Sequence, residues 1–339
     1  MKYVLLTGGA GFIGSNFIPY FIENNPHYHL VNLDLLTYAG DLNNLKEIEN
    51  NERYTFVKGD ICNRSFIEEL FTKYQFHDVI HFAAESHVDN SISGPEAFIR
   101  TNVLGTFNLL DTARKLWMNG PNDYNESFKN ARFHHVSTDE VYGTLGETGL
   151  FEETTAYAPN SPYSASKAGS DMIVRSYFHT YGMNVVTTNC SNNYGPKQHN
   201  EKLIPTIIRK AIACENIPIY GDGKNVRDWL YVLDHCKGIE LAFKTGISGE
   251  TYNIGGRNER NNLYIVDTIC EILNTKVPLK EGKYQDLITF VKDRPGHDMR
   301  YAIDASKIEN NLGWKADENF ETGILKTVDW YLEKFKVLT

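Results

Sequence analysis

Thr7-Gly8-Gly9-Ala10-Gly11-Phe12-Ile13-Gly14 follows directly on the apolar run Tyr3-Val4-Leu5-Leu6. A run of strand length meets a glycine cluster, and the helical pattern Phe12, Ile13, Phe17, Ile18, Phe21 comes next. The order reads as strand, turn and helix. Glycines in such a turn let the chain reverse sharply and bring a pyrophosphate within reach of bare N–H groups at the helix N-terminus. The G-x-G-x-x-G of Gly9, Gly11 and Gly14 gains weight from a second apolar run, His29-Leu30-Val31-Asn32-Leu33, which ends in Asp34, 20 residues past Gly14. An acidic residue at that distance binds a ribose 2′-OH. Asp34 would repel a 2′-phosphate, and Leu35 and Leu36 offer no cation, so the stretch predicts a dinucleotide site that prefers NAD to NADP.

The alternation continues outward from this unit. Tyr54-Thr55-Phe56-Val57 ends at Gly59-Asp60-Ile61, and Asp78-Val79-Ile80-His81-Phe82 ends at Ala83-Ala84-Glu85-Ser86. Arg132-Phe133-His134-His135-Val136 ends at Ser137-Thr138-Asp139, and Asn184-Val185-Val186-Thr187-Thr188 ends near Ser191-Asn192-Asn193. Helical patterns, such as 97–116 and 165–181, lie between them. Strands alternating with helices predict a doubly wound parallel α/β sheet, with ligands beyond the carboxyl ends of its strands. From about Lys197 the pattern loosens into short apolar pieces, Ile217-Pro218-Ile219-Tyr220 and Thr251-Tyr252-Asn253-Ile254, and a final amphipathic helix over 320–335. The expected division is a dinucleotide-binding domain over 1–194 with about 226–250, and a smaller mixed α/β substrate-binding domain over about 195–225 and 251–339. The polar stretch 117–130 reads as a surface excursion.

The 339 residues suffice for a large core, and 41% hydrophobic with 23% charged residues is the composition of an ordinary globular protein. A formal charge of −9 without a basic patch argues against nucleic acid. No apolar run approaches the ~20 residues of a membrane helix, and the stretch before the glycine turn is too short for a signal-peptide core. Five scattered cysteines without C-x-x-C spacing read as buried free thiols, and the expected location is the cytoplasm. His134 and His135 are strand neighbours that face opposite ways, and His81 and His87 fit no zinc spacing, so no metal is expected.

Tyr163-Ser164-Ala165-Ser166-Lys167 opens the helix after the fifth strand, and a spacing of four puts Tyr163 and Lys167 on one helical face. A free phenol has a pKa of about 10. A lysine ammonium and a positive nicotinamide favour the phenolate, so the pair can take a substrate hydroxyl proton while NAD takes hydride from the same carbon.

Thr7-Gly8-x-x-Gly11-x-x-Gly14 with Tyr163-x-x-x-Lys167 resembles the extended short-chain dehydrogenase/reductase family, whose members carry a Rossmann sheet and act mainly on nucleotide sugars. The resemblance runs from the first strand to at least Arg300. Five further stretches resemble the family's nucleotide-sugar 4,6-dehydratases: 83–89, Ser137-Thr138-Asp139-Glu140-Val141-Tyr142-Gly143, Ser191-Asn192-Asn193-Tyr194-Gly195-Pro196, Arg227-Asp228-Trp229 and Asp293-Arg294-Pro295-Gly296-His297-Asp298. Leu35 departs from the pattern, since those dehydratases usually carry lysine after the ribose-binding aspartate; the departure touches an adenosine contact and not the reaction.

The resemblance implies oxidation at C4 of a dTDP-linked glucose, loss of water across C5–C6, and return of the hydride to C6. A ketone at C4 acidifies the C5 hydrogen, and elimination then needs a base for that hydrogen and an acid for the leaving hydroxyl. Adjacent carboxylates can divide the task if their environments separate their pKa values, and the resemblance makes Asp139 the acid and Glu140 the base beside Thr138, Tyr163 and Lys167. It places Gly8, Gly11, Phe12, Ile13, Gly14, Asp34 and Thr37 on NAD, followed by Asp60, Ile61, Phe82, Ala83, Ala84, Ser86, Thr101 and Asn193. It places Ser86, Thr138, Asn192, Lys202, Leu203, Pro218 and Tyr220 on substrate, with Asn262 and His297. Arg227 and Arg294 would neutralise the diphosphate. A homodimer through a four-helix interface is also implied. The rivals are a 4-epimerase, against which Asp139 and Glu140 speak, and a non-catalytic NAD or sugar-nucleotide binder, against which Thr138, Tyr163 and Lys167 speak.

Overall fold

The computed structural model describes residues 1–293 and 298–337. Seven parallel strands form the central sheet: β1 (Lys2–Thr7), β2 (Tyr28–Asp34), β3 (Tyr54–Lys58), β4 (Asp78–His81), β5 (Arg132–Thr138), β6 (Val185–Cys190) and β7 (Thr251–Ile254). Their spatial order is β7-β6-β5-β4-β1-β2-β3, so the winding reverses between β1 and β4. A crevice opens at the carboxyl ends of the strands at such a reversal.

Alternation along the strands separates two cores. Val4 and Leu6 point to one face, where α1 (Phe12–Asn24) packs against α5 (Val232–Thr245) through Phe17, Phe21, Ile239 and Phe243. Leu5 points to the other face, beneath α2 (Arg64–Tyr74), α3 (Thr106–Trp117) and α4 (Pro162–Tyr181), with Ile67, Phe71, Leu109, Trp117 and Val174. Local sequence fixes the ends of α4. Ser161 caps its N-terminus in a capping box with Ser164, Pro162 stands where no intrahelical N–H is needed, and Gly182 closes it at φ +68°.

Three expectations change. Thr251–Ile254 pairs in parallel with β6 and is the seventh strand of the main sheet, not part of the smaller domain. Helix α5 is its crossover from β6, but residues 191–231 interrupt the unit, so the βαβ rhythm is broken in sequence. Val226–Tyr231, expected in the first domain, instead joins Asn192–Tyr194 and Glu259–Asn261 in a three-stranded sheet. The single helix expected over 97–116 is α-helical at Pro95–Phe98, π-helical at Ile99–Gly105 and α-helical again in α3.

A third core, with Ile204, Ile208, Ile265, Leu273, Phe320 and Tyr331, holds the helices Leu203–Ile212, Asn262–Lys276 and Phe320–Lys334 together. The polar excursion carries a short hairpin of Met118–Gly120 and Asp123–Tyr124. Cys190, Cys236 and Cys270 are buried free thiols as expected, whereas Cys62 is half-buried and Cys214 exposed. No helix among the described residues is long and apolar enough to cross a membrane.

Phe17 ties α1 to the site end of the sheet: its ring centroid lies 5.3 Å from that of Phe21 and 5.2 Å from that of Phe82, and it is wholly buried. Truncating such a ring leaves a cavity that the packed surroundings fill only in part. Phe17→Ala should therefore lower unfolding stability by about 3–5 kcal/mol, measured as a shift of the urea midpoint.

Candidate active site

A cleft runs across the carboxyl ends of β1 to β6. Its first part is the glycine turn. Gly8 has φ +75°, and a Cβ there would stand 2.6 Å from the Ala83 nitrogen; a Cβ on Gly14 would stand 2.6 Å from the Gly8 carbonyl oxygen. Gly11 meets nothing closer than 3.4 Å and leaves the start of α1 open to the cleft. The first-turn N–H groups of Phe12, Ile13 and Gly14 precede the helical hydrogen-bond ladder, so they are aimed where an anion can sit. Asp34 ends β2 with both carboxylate oxygens oriented: Oδ2 accepts from Ala10 N–H at 2.9 Å and Oδ1 from Leu36 N–H at 2.8 Å. A turn stripped of side chains, a helix N-terminus and an oriented carboxylate together fit a dinucleotide.

Every residue expected on the cofactor lines this cleft: the turn residues, Asp34 and Thr37, Asp60 and Ile61 after β3, Phe82, Ala83, Ala84 and Ser86 after β4, then Thr101, Tyr163, Lys167 and Asn193. Leu35 lines it too, exposed beside Asp34. Asn193 is already engaged, for its Oδ1 lies 2.9 Å from His235 Nδ1 and its Nδ2 donates to the Ser191 carbonyl at 3.0 Å.

The second part is charged. Thr138 ends β5, and its hydroxyl accepts from Glu140 N–H at 3.3 Å, capping the short 3₁₀ turn Asp139–Tyr142. Asp139 is almost fully buried, and its Oδ2 has no hydrogen-bond partner among the described residues. Burial holds the Asp139 carboxyl well above the usual range, helped by the negative charges of Glu140 and Asp228 and opposed by Arg227 and the Thr138 hydroxyl. Asp139 therefore holds a proton where an ordinary aspartate would not. Tyr163 is buried, and burial together with Glu140 pushes its phenol up, while the Thr138 hydroxyl pulls the other way. Lys167, one turn along α4, donates from Nζ to the Val136 carbonyl at 2.9 Å, and burial pulls its pKa down. The protein's own groups thus raise the Tyr163 pKa on balance, contrary to the simple expectation from its lysine neighbour, because burial and the negative charge of Glu140 dominate.

The substrate residues divide. Ser86, Thr138, Asn192 and Lys202 line the cleft, and Lys202 Nζ donates to the Ser86 carbonyl at 3.4 Å. Leu203, Pro218, Tyr220, Arg227 and Asn262 do not line it. Arg227 is buried instead, its guanidinium 4.3 Å from the centre of the Tyr301 ring and donating to the carbonyls of Val226 and Asp298 at 2.7 and 2.8 Å. Arg294 and His297 lie outside the described residues. His134 and His135 are buried and hydrogen-bonded, to Thr188 and to Asp171; no group of three or more potential metal ligands occurs among the described residues.

Sequence reasoning missed Cys190, Gln198, His199 and Glu201, which also line the cleft. Cys190 sits directly before Ser191-Asn192, and that adjacency was its signal; the other three precede Lys202 in a segment with no periodicity to place it. Asn102 was missed as well. In the π-helical stretch it grips the backbone of Glu85 from both sides, accepting from its N–H at 2.9 Å and donating to its carbonyl at 3.0 Å.

The family model described as GDP-mannose 4,6 dehydratase matches residues 5–327. A dTDP-glucose 4,6-dehydratase of Xanthomonas campestris pv. campestris is 56% identical over 97% of this chain and 92% of its own. Among solved structures, a dTDP-glucose 4,6-dehydratase of Bacillus anthracis in complex with NAD superimposes with a TM-score of 0.86 at 43% identity, covering 99% of this chain and 98% of that one. One from Streptomyces venezuelae, also with NAD bound, gives 0.89 at 40% identity and the same coverage. The chain is a member of the extended short-chain dehydrogenases/reductases, and within them it belongs to the dTDP-glucose 4,6-dehydratase family.

The glycine turn yields a direct test. Gly14→Ala drives a methyl group into the backbone of Gly8 and Gly9, so the turn must open and the N–H groups lose their aim. NAD affinity measured by calorimetry should fall more than tenfold, about 1.4 kcal/mol, with the far-ultraviolet circular dichroism unchanged.

Proposed function

We infer that the protein is an NAD-dependent dTDP-glucose 4,6-dehydratase that yields dTDP-4-keto-6-deoxyglucose. The observation that carries the reading is the pairing, on one cleft, of a phenol–lysine couple with two adjacent carboxylates, one of which is buried and proton-holding. NAD, when bound, takes up the C4 hydride and gives it back at C6. Tyr163 receives the C4 hydroxyl proton, with Thr138 hydrogen-bonded to that hydroxyl and Lys167 favouring the phenolate. Glu140 removes the C5 hydrogen once the neighbouring ketone has made it acidic, and Asp139 gives its proton to the departing 6-hydroxyl. Burial of Asp139 beside Glu140 serves this division, since like charges this close favour one proton between them. Asn192 and Lys202 meet the sugar nucleotide at the rim, Arg294 is assigned to its diphosphate and His297 to the substrate. The dinucleotide-binding part is residues 1–191 and about 232–254, which carries β7, and the remainder is the substrate part. Free cysteines and a cofactor drawn from a common pool support a cytoplasmic location.

Two outcomes test this reading. Substrate deuterated at C4 should give product deuterated at C6, with a solvent proton at C5; deuterium returned to C4 with inverted configuration would mean an epimerase. In the doubly substituted Asp139→Asn, Glu140→Gln protein, product formation should fall about 10²–10⁴-fold, while absorbance of reduced cofactor builds up because oxidation is spared.

The assembly belongs to the same reading. Ile99, Leu104 and Met172 are exposed by 50%, 42% and 48% along the outer side of the 95–117 helical segment and α4. Two such helices from each copy would make a four-helix interface about a two-fold axis. Light scattering at micromolar concentration should give a dimer, and Leu104→Glu with Met172→Glu should give monomer.

A further inference from the structure

Asp171 stands one turn of α4 beyond Lys167, on the face that carries Tyr163 and Lys167. No role assigned above uses it. The carboxylate is buried and receives three hydrogen bonds: His135 Nε2 lies 3.0 Å from Oδ1, and the hydroxyls of Ser137 and Tyr157 donate to Oδ2 at 2.9 and 3.0 Å. A buried carboxylate is costly unless it is both hydrogen-bonded and paired with a positive charge. The three donors meet the first need, and Lys167 is the cation that meets the second.

The requirement is mutual. Lys167 is buried, and its hydrogen bond to the Val136 carbonyl is to a neutral acceptor. The groups that help it keep a proton are Asp171 and Cys190, and burial pushes the Cys190 thiol up so that it stays neutral. The other titratable groups around the pair carry no balancing charge. His135 and His81 have ring centroids 5.4 Å apart, and burial drives both well below the usual histidine range, so both are neutral. Tyr142 and Tyr157 are held up by burial and share Asn189. Asp139 and Glu140, from the turn after β5, act on Tyr163. Asp111 of α3 reaches Tyr177 at 3.4 Å, further along α4.

We propose that Asp171 is a positioning residue for the chemistry at Tyr163: it balances the buried charge of Lys167, so that an ammonium and not an amine faces the phenol. The inference rests on the function proposed above. Along the helix axis Lys167 is about 6 Å and Asp171 about 12 Å from Tyr163. With the positive charge nearer than the negative one, the pair favours the phenolate. Burial holds the Asp171 carboxyl up at about 6 against the pull of Lys167, Ser137 and Tyr157, so it is ionised at neutral pH. Without that charge the buried ammonium is uncompensated, Lys167 gives up its proton, and Tyr163 loses its near positive neighbour.

The test reads the phenol itself. Near-ultraviolet phenolate absorbance of the NAD-loaded protein is titrated, and the Tyr163→Phe protein is subtracted to leave the Tyr163 signal. In Asp171→Asn that signal should move up by about one pH unit, which is roughly a tenfold loss of phenolate at a fixed pH below it, and 4-keto sugar formation should follow it. Asp171→Glu keeps the charge and should titrate near the wild-type position even where its rate is lower. Tyr157→Phe removes one donor from the carboxylate and should shift the signal the same way by less. An unmoved titration in Asp171→Asn, or an equal shift in Asp171→Glu, would overturn the proposal and leave Asp171 a packing residue. If Asp171→Asn does not fold, an unmoved Tyr157→Phe overturns it. A wild-type protein that leaves dTDP-glucose unchanged would instead sink the function, with the Tyr163 titration still readable.

Discussion

The site depends first on the near-contact between Gly8 and Ala83. With φ +75° and no Cβ, Gly8 lets the turn after β1 lie directly against the backbone leaving β4. Gly14 then lets α1 rest on the same turn. These two approaches place the start of α1, the end of β2 at Asp34 and the segment Phe82–Ser86 around one crevice. No side chain could make that contact, because the fit is backbone on backbone. Thr7 and His81 reinforce it from below, with the Thr7 hydroxyl 2.6 Å from His81 Nδ1 and accepting from Ala83 N–H at 3.3 Å. Asn102 fixes the far end of the same segment at Glu85.

Across the crevice the organising quantity is buried charge. Asp139, Tyr163, Lys167 and Asp171 are all shielded from water, where each ionised form is expensive. Burial moves the acids up and the lysine down, toward the pH at which each can give or take a proton, while it moves the Tyr163 phenol up and away from that pH, so that nearby positive charge must offset it. Neighbours then separate their roles: Glu140 acts on both Asp139 and Tyr163, while Lys167 and Asp171 act on each other. Proton traffic at neutral pH thus follows from exclusion of water plus a small number of fixed charges.

What was legible in the sequence is what short-range spacing encodes. The glycine turn, Asp34, the strand-end residues and the Tyr163–Lys167 pair each declare themselves through periodicity or a fixed offset, and the cleft gathers them. The illegible parts are those set by tertiary pairing. Thr251–Ile254 carries the same four-residue apolar run whether it edges the large sheet or a small one, and only its pairing with β6 decides. The π-helical widening at Ile99–Gly105 leaves no mark in the hydrophobic pattern, yet it belongs to the stretch that brings Asn102 onto Glu85. Charge and motif mark Arg227 as a phosphate ligand, but its place over Tyr301 depends on residues 71 to 74 positions away.

The two parts of the molecule meet through the segment that follows Asn193, and that junction decides how substrate groups can be positioned. Asn16 of α1 donates to the Pro196 carbonyl at 2.9 Å, and Lys197 reaches the Ser15 carbonyl at 3.2 Å. From the other side the Tyr331 hydroxyl donates to the Gln198 carbonyl at 2.7 Å, and Gln198 donates to the Asn193 carbonyl at 2.9 Å. The segment is therefore held by the cofactor helix and by the last helix of the smaller core at once. Asn192 lies just before it and Lys202 just after it. Their reach into the cleft is fixed relative to the glycine turn on one side and to the third core on the other. A ligand held at these residues would thereby be referred to the same frame that orients Asp34 and the start of α1, which is what transfer between a ligand carbon and a dinucleotide demands.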